Sequence, residues 1–206
     1  MPEDSRPNDV PWPAARWEGI DGLVLSRGDI RLRAFQTPDA VALFSALDHD
    51  ACWAHVVGRP RNAEDFAAVL NGAEAHGRHV FVVERGDRIV GTTSFLDVSP
   101  KDARLEIGST MYTPTEWGTD LNPACKFLLM VHAFEDLGMG RVQLKTDIRN
   151  RRSQSAIERL GAKYEGVLRR YQRRTDGTVR DTVMYSIVVE EWPTVRDGLL
   201  GRIANG

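Results

Sequence analysis

Residues Glu116–Asn150 read EWGTDLNPACKFLLMVHAFEDLGMGRVQLKTDIRN. A turn through Gly118 and Asp120 leads to Pro123, which suits the first position of a helix. From Pro123 to Leu137, Phe127, Leu128, Met130, Val131 and Phe134 cover much of the helical circumference, which predicts a buried helix. Gly138 and Gly140 stop it. Arg141–Asp147 alternates as a strand, and a turn follows to Asn150. A buried helix handed straight to a strand requires a sheet for it to cover, so this segment sets an α/β layout.

Upstream, Asp29–Phe35 alternates apolar and polar residues as a half-buried strand. Thr37 is placed to cap a helix with Pro38 at its first position, and Ala40, Leu43, Phe44 and Leu47 share one face. Asn62 caps a second helix with Phe66, Val69 and Leu70 inward. His79–Arg85, Arg88–Val98 and Ala103–Thr113 form a three-strand meander turned at Gly86-Asp87 and Ser99–Asp102. Downstream come a capped helix ending at Gly161 and two strands joined by Thr175-Asp176-Gly177-Thr178. These elements predict a single domain over 21–206, a mixed and mostly antiparallel sheet flanked by about four helices. Residues 1–20, rich in Pro and charge, read as an extended arm pinned by Trp12 and Trp17.

The 206 residues suffice for one sizeable core. A net charge of −2 gives no overall basic field for nucleic acid. No apolar run approaches the ~18–20 residues of a membrane span. With two cysteines, Cys52 and Cys125, and no His/Cys/Asp cluster at ligand spacing, neither a disulfide framework nor a metal site is expected. A cytoplasmic location fits this composition.

The start of the Pro123 helix suits an anion, because helix-start N–H groups lack partners and a preceding tight turn adds more. Gly118 takes unusual backbone angles, Thr119 offers a hydroxyl, Asn122 caps, and Lys126 lies a turn in, able to reach back to a phosphate. An ordinary capped helix with Lys126 in solvent is the other reading. Asp120 is out of place beside an anion and is expected to point outward, since a carboxylate within ~4 Å of phosphate costs on the order of 1–4 kcal/mol.

The ordered set from Asp29 to Val189 resembles the GNAT superfamily of N-acetyltransferases, in the branch of the ribosomal-protein N-terminal acetyltransferases. The resemblance rests on IGSTMYTP leading into the loop, on Asn150, Ser153, Leu160, Gly161 and Ala162, and on the tail EGVLRRYQRRTDGTVRDTVMYSI. It departs at the cofactor loop, where Trp117, Asp120 and Asn122 replace an Arg or Gln and two small residues. Ile157 stands where many members carry a tyrosine.

The resemblance implies direct transfer of acetyl from acetyl-CoA, as cosubstrate and without a metal, to a protein N-terminus or small amine. It implies that the strand ending at Met111-Tyr112 splays from the Arg141 strand, leaving an edge for the pantetheine arm, and that a backbone N–H there polarises the thioester carbonyl. Trp117, Gly118, Thr119, Asn122 and Lys126 then face the diphosphate. Asn150 caps its helix and contacts the pantetheine arm, while Arg151 and Arg152 lie within reach of phosphates. Glu106 is the candidate base, against a plain strand carboxylate, and Glu165 is a weaker one. Ser153 is the candidate proton donor, against a serine bonding its own first turn. Cys125 and His132 read as packing residues. The amine is expected between the first two helices and the last hairpin, which also offers a homodimer surface. A catalytically silent acyl-CoA-binding or interaction module with the same fold is the alternative.

Overall fold

The computed structural model describes residues 11–174 and 176–204. The first half of the expected arm and Thr175 of the expected turn lie outside the described residues. Val24–Arg27 (β1) and Ile30–Ala34 (β2) lead to helices Ala40–Leu47 (α1), Asp50–Trp53 (α2) and Ala63–Asn71 (α3). The meander follows as Arg78–Arg85 (β3), Arg88–Ser99 (β4) and Arg104–Tyr112 (β5). Leu121–Val131 (α4) runs through a π-helical turn, His132–Asp136, into Arg141–Asp147 (β6). Arg151–Glu158 (α5), Lys163–Arg173 (β7), Val179–Val188 (β8) and Trp192–Ala204 (α6) complete the chain.

The strands form one sheet in the order β1-β2-β3-β4-β5-β6-β8-β7. Every neighbouring pair is antiparallel except β5 and β6. Those two run parallel and pair only at Arg104–Arg141, Leu105–Val142 and Glu106–Gln143. Beyond Glu106 they part, while β6 continues on β8 as far as Asp147–Thr182. The sheet is therefore split into a V from its middle outward.

A bulge in β5 accompanies the split. The β4–β5 register slips between Thr92 and Ser94, and Ser109 opposite the slip has φ +48°, left-handed for a side chain that disfavours it. Met111–Tyr112 then regain register with Thr92–Gly91. Gly91 allows this close approach, because a Cβ there would run into Met111 O and lie 2.6 Å from Tyr112 Cδ1.

The larger core holds α4 and α6 against the sheet, with Leu105, Leu129, Met130 and Ile187 among its buried members. The smaller core gathers Leu43, Leu47, Trp53, Phe66 and Leu70 of α1–α3, and Trp117 packs on both. The described part of the arm lies on the body: Trp12 Nε1 donates to Asp102 O at 2.9 Å, and Trp17 stands edge-on to Phe95. No helix among the described residues is long and apolar enough to cross a membrane.

Helix starts partly follow the sequence reading. Asn62 Oδ1 accepts from Asp65 N and Asn150 Oδ1 accepts from Ser153 N, as expected of N-caps. Thr37 is not a cap. A 3₁₀ turn over Thr37–Asp39 precedes α1, and Asp39, held by Arg33, accepts from Gln36 N. Nor does Asn122 cap α4, which begins two residues before Pro123; Thr119 Oγ1 accepts from Leu121 N instead.

Candidate active site

The V opens between two helix starts, those of α4 and α5. Its β5 wall carries unpaired backbone. Thr113 N donates to Val90 O, so antiparallel alternation turns the Tyr112 N–H and C=O away from β4 and toward the gap. The Tyr112 carbonyl is taken: Trp117 Nε1 donates to it at 3.0 Å and Cys52 Sγ at 3.6 Å. The Tyr112 ring is buried, and burial raises its hydroxyl pKa well above the usual value.

The loop before α4 is built from within. Gly118 has φ +85° with open space where a Cβ would sit. Thr119 Oγ1 donates to Glu116 O at 2.9 Å. The first turn of α4 leaves its N–H groups without intrahelical acceptors, and Pro123 brings none. Asp120 is half-buried and does not stand free in solvent. Its carboxylate pairs with Arg85, at the end of β3, which also holds Glu116 Oε2 at 2.9 Å. A cation 35 residues away thus neutralises the acid in the loop.

Lys126 is not where a phosphate would find it. It is 4% exposed, and its Nζ donates to Thr110 Oγ1 at 2.8 Å, under β5 rather than toward the loop. Burial pushes its pKa down to about 8. The solvated alternative for this residue fails as well. Arg152 is the cation beside the loop with no carboxylate partner among the described residues, and its guanidinium carbon lies 3.7 Å from the centre of the Trp117 ring. Stacking of this kind fixes a guanidinium over an indole without consuming its hydrogen-bond donors. The same contact joins the starts of α4 and α5 across the V.

On α5, Asn150 caps the helix through Oδ1. Ser153 is partly buried, and among the described residues its hydroxyl makes no hydrogen bond. Gln154 ties the helix to Asp147 O and Ile148 O.

Glu106 stands at the apex of the V, 7% exposed. Oε2 is in contact with Lys145 of β6, whose Nζ also reaches Asp97 at 3.0 Å. Burial raises the Glu106 pKa, against the opposing pull of Lys145. Its other oxygen leans along β5: a Cβ at Gly108 would stand 2.8 Å from Glu106 Oε1. The missing side chain at Gly108 gives the carboxylate room on the side of the bulge. Glu165, the weaker candidate, is clamped by both Arg141 nitrogens at 2.6 Å and by Ser186, which lowers its pKa. Cys125 is fully buried and its thiol is pushed up to about 12, which excludes a nucleophile at neutral pH. His132 packs beside Phe95 with Nδ1 2.8 Å from Asp136 Oδ2.

Two hollows flank the segment that follows α2, and only the smaller reaches the bulge. One of about 100 Å³ is lined by Trp53, Phe66, Arg78, Ser109, Thr110 and Met111. The other, about 200 Å³, lies between His55–Val57 and the β7–β8 hairpin. Val56 and Val57 line both.

Of the residues singled out from the sequence, Gly118, Thr119 and Asn122 lie at one rim of the V, Asn150 and Ser153 at the other, Met111 and Tyr112 on its wall and Glu106 at its apex. It missed the Ser109 bulge, the Arg85–Asp120 pair and the Glu106–Lys145 pair. An acid inside an anion-type loop was the one signal for Arg85.

Comparison with known proteins agrees with this architecture. The sequence model of the "Acetyltransferase (GNAT) domain" family matches residues 29–163. An "Uncharacterized N-acetyltransferase p20" of Bacillus licheniformis is 26% identical over 133 residues, covering 63% of this chain and 74% of that protein. The crystal structure of a "putative acetyltransferase" from T. thermophilus superposes with a TM-score of 0.82 at 36% identity, covering 91% of this chain and all of that one (100%). Mycobacterium smegmatis RimJ, solved in complex with CoA-disulfide, shares the fold at a TM-score of 0.72 and 24% identity over 84% of this chain and 90% of its own. The split sheet, the bulged strand on its edge and the two helix starts facing across the gap are thus those of a chain that belongs to the GNAT acetyltransferase family.

Proposed function

We propose that this chain transfers the acetyl group of acetyl-CoA directly to a primary amine, a protein N-terminus or a small molecule. The observation that carries the reading is the unpaired β5 edge inside the V, with the Tyr112 N–H turned into it. RimJ, which has the same fold, was solved with a coenzyme A disulfide.

The residues present fit acetyl-CoA as cosubstrate. When bound, it supplies an acyl group activated as a thioester. The amides of Gly118 and Asn122, the Thr119 side chain and the positive end of α4 face its diphosphate. Arg152, seated on Trp117, supplies the charge that the family's loop arginine supplies elsewhere, and Trp117 serves as that seat and as the cap of Tyr112 O. Lys126 holds Thr110 and with it the strand beyond the bulge. Asn150 fixes the start of α5 against the pantetheine arm. The backbone N–H at Met111 or Tyr112 donates to the thioester carbonyl, where negative charge grows during attack. Glu106 takes the proton of the attacking amine, directly or through water. Ser153, whose hydroxyl has no partner among the described residues, returns a proton to the departing thiolate.

Release of free thiol from acetyl-CoA in the presence of an amine panel tests this. The expected result is amine-dependent thiol release from at least one class of primary amine. Binding of coenzyme A with no release on any amine would favour the silent module instead.

A further inference from the structure

The larger of the two hollows, under the β7–β8 hairpin, is basic. Arg149, Arg174 and Arg180 line it together with His55, and Asp176 is the only carboxylate among its lining residues. The three guanidinium groups differ in what already holds them. Arg174 is committed, gripping buried Asp147 through two bonds of 2.7 and 2.8 Å. Arg149 has a loose partner, Asp176 Oδ2 at 3.6 Å. Arg180 has no carboxylate partner among the described residues. Its Nε donates to Thr182 Oγ1 at 2.8 Å, which anchors the group and leaves the outer fork open. Burial lowers its pKa, the mark of a cation held partly out of water without full compensation.

A guanidinium fork fixed at Nε and open at its two outer nitrogens is shaped for a carboxylate or phosphate. The hollow is small: about 200 Å³ is the share of roughly seven liquid waters. It admits an acidic group and a short stem, not a folded chain. It also shares Val56 and Val57 with the hollow that ends on Ser109, Thr110 and Met111. An amine placed at the bulge therefore directs its tail toward Arg180.

We infer that the acceptor is an amine carrying a carboxylate or phosphate a short stem away, and that Arg180, aided by Arg149, selects it by that anion. This rests on the acetyl-transfer reading above and adds a substrate class to it.

The test compares acceptors matched except for charge: γ-aminobutyrate with its carboxamide, and phosphoethanolamine with ethanolamine. The anionic member of at least one pair is expected to have about 10–100-fold higher kcat/KM, the range of a charge-assisted fork, carried mainly by KM. The pair that shows it tells carboxylate from phosphate. Arg180→Ala should abolish the preference and leave the neutral amine within about twofold. Arg180→Lys should restore only part of it. Calorimetry on the wild type reads binding apart from turnover. Absence of thiol release with every amine would remove the acetyl-transfer reading, and the anion binding of wild type against Arg180→Ala would then decide the basic hollow by itself. Equal kcat/KM within both pairs, or anion binding unchanged in a folded Arg180→Ala protein, overturns the inference.

Discussion

Glu106→Gln should lower kcat by about 10²–10⁴, the usual contribution of a positioned general base. The side chain keeps its shape, so the room above Gly108 and the neighbouring packing persist. What is lost is proton affinity and the charge facing Lys145, which retains Asp97 at 3.0 Å. KM for acetyl-CoA should change by no more than about twofold, because the apex of the V lies apart from the diphosphate loop. In the wild type, burial raises the carboxyl pKa, so activity should fall as acid protonates it, and that limb should vanish from the Glu106→Gln profile. If Glu106 is only a strand carboxylate in an ion pair, the substitution will lower the melting temperature and leave kcat per folded molecule intact.

Gly91→Ala is the second large effect, and it acts through the backbone. The new methyl would run into Met111 O and come within 2.6 Å of Tyr112 Cδ1 and 3.0 Å of Tyr112 Cα. β4 is held between β3 and β5, so the clash is relieved only by pushing Met111–Tyr112 off β4 into the V. The expected cost is about 3 kcal/mol, at the upper end for overpacking, or a melting temperature lower by about 6–12 °C in a protein of this size. Activity should fall further than stability, since the displaced residues present the Tyr112 N–H. Gly118→Ala is the contrast. Its φ is +85° but nothing stands within 4 Å, so only the left-handed strain of about 1–2 kcal/mol is expected. Thermal unfolding of the two variants side by side checks this. Equal shifts would mean that β4 and β5 have slack at the bulge.

What the sequence revealed and what it hid divide along physical lines. Arg141–Asp147 is a strand over its whole expected span, because alternation is a local signal, although here both faces are covered. Asn62 and Asn150 cap as read, since a cap involves three neighbouring residues. Strand β1 escaped notice because only Leu25 of its four residues is not exposed. Helix α6 buries Trp192, Val195 and Leu199, but Pro193, Gly198 and Gly201 obscure its pattern. The errors in the site were of another kind. Asp120 meets Arg85, Trp117 meets Arg152 and Glu106 meets Lys145, each pair joined only by the folded sheet and its crossovers. Lys126 read as a cation reaching back to a phosphate, or else solvated, because it lies one turn into the helix. The fold instead turns it inward onto Thr110.

The β5 edge in the V decides between these roles. Amide hydrogen exchange should be followed across 107–112 and 117–124 with and without coenzyme A. Binding should slow exchange in both segments, with the Tyr112 amide strongly protected and the loop amides of Gly118 and Asn122 following. Tight binding that leaves the Tyr112 amide exchanging as in the free protein would contradict the account, because coenzyme A would then be held somewhere other than along the open strand.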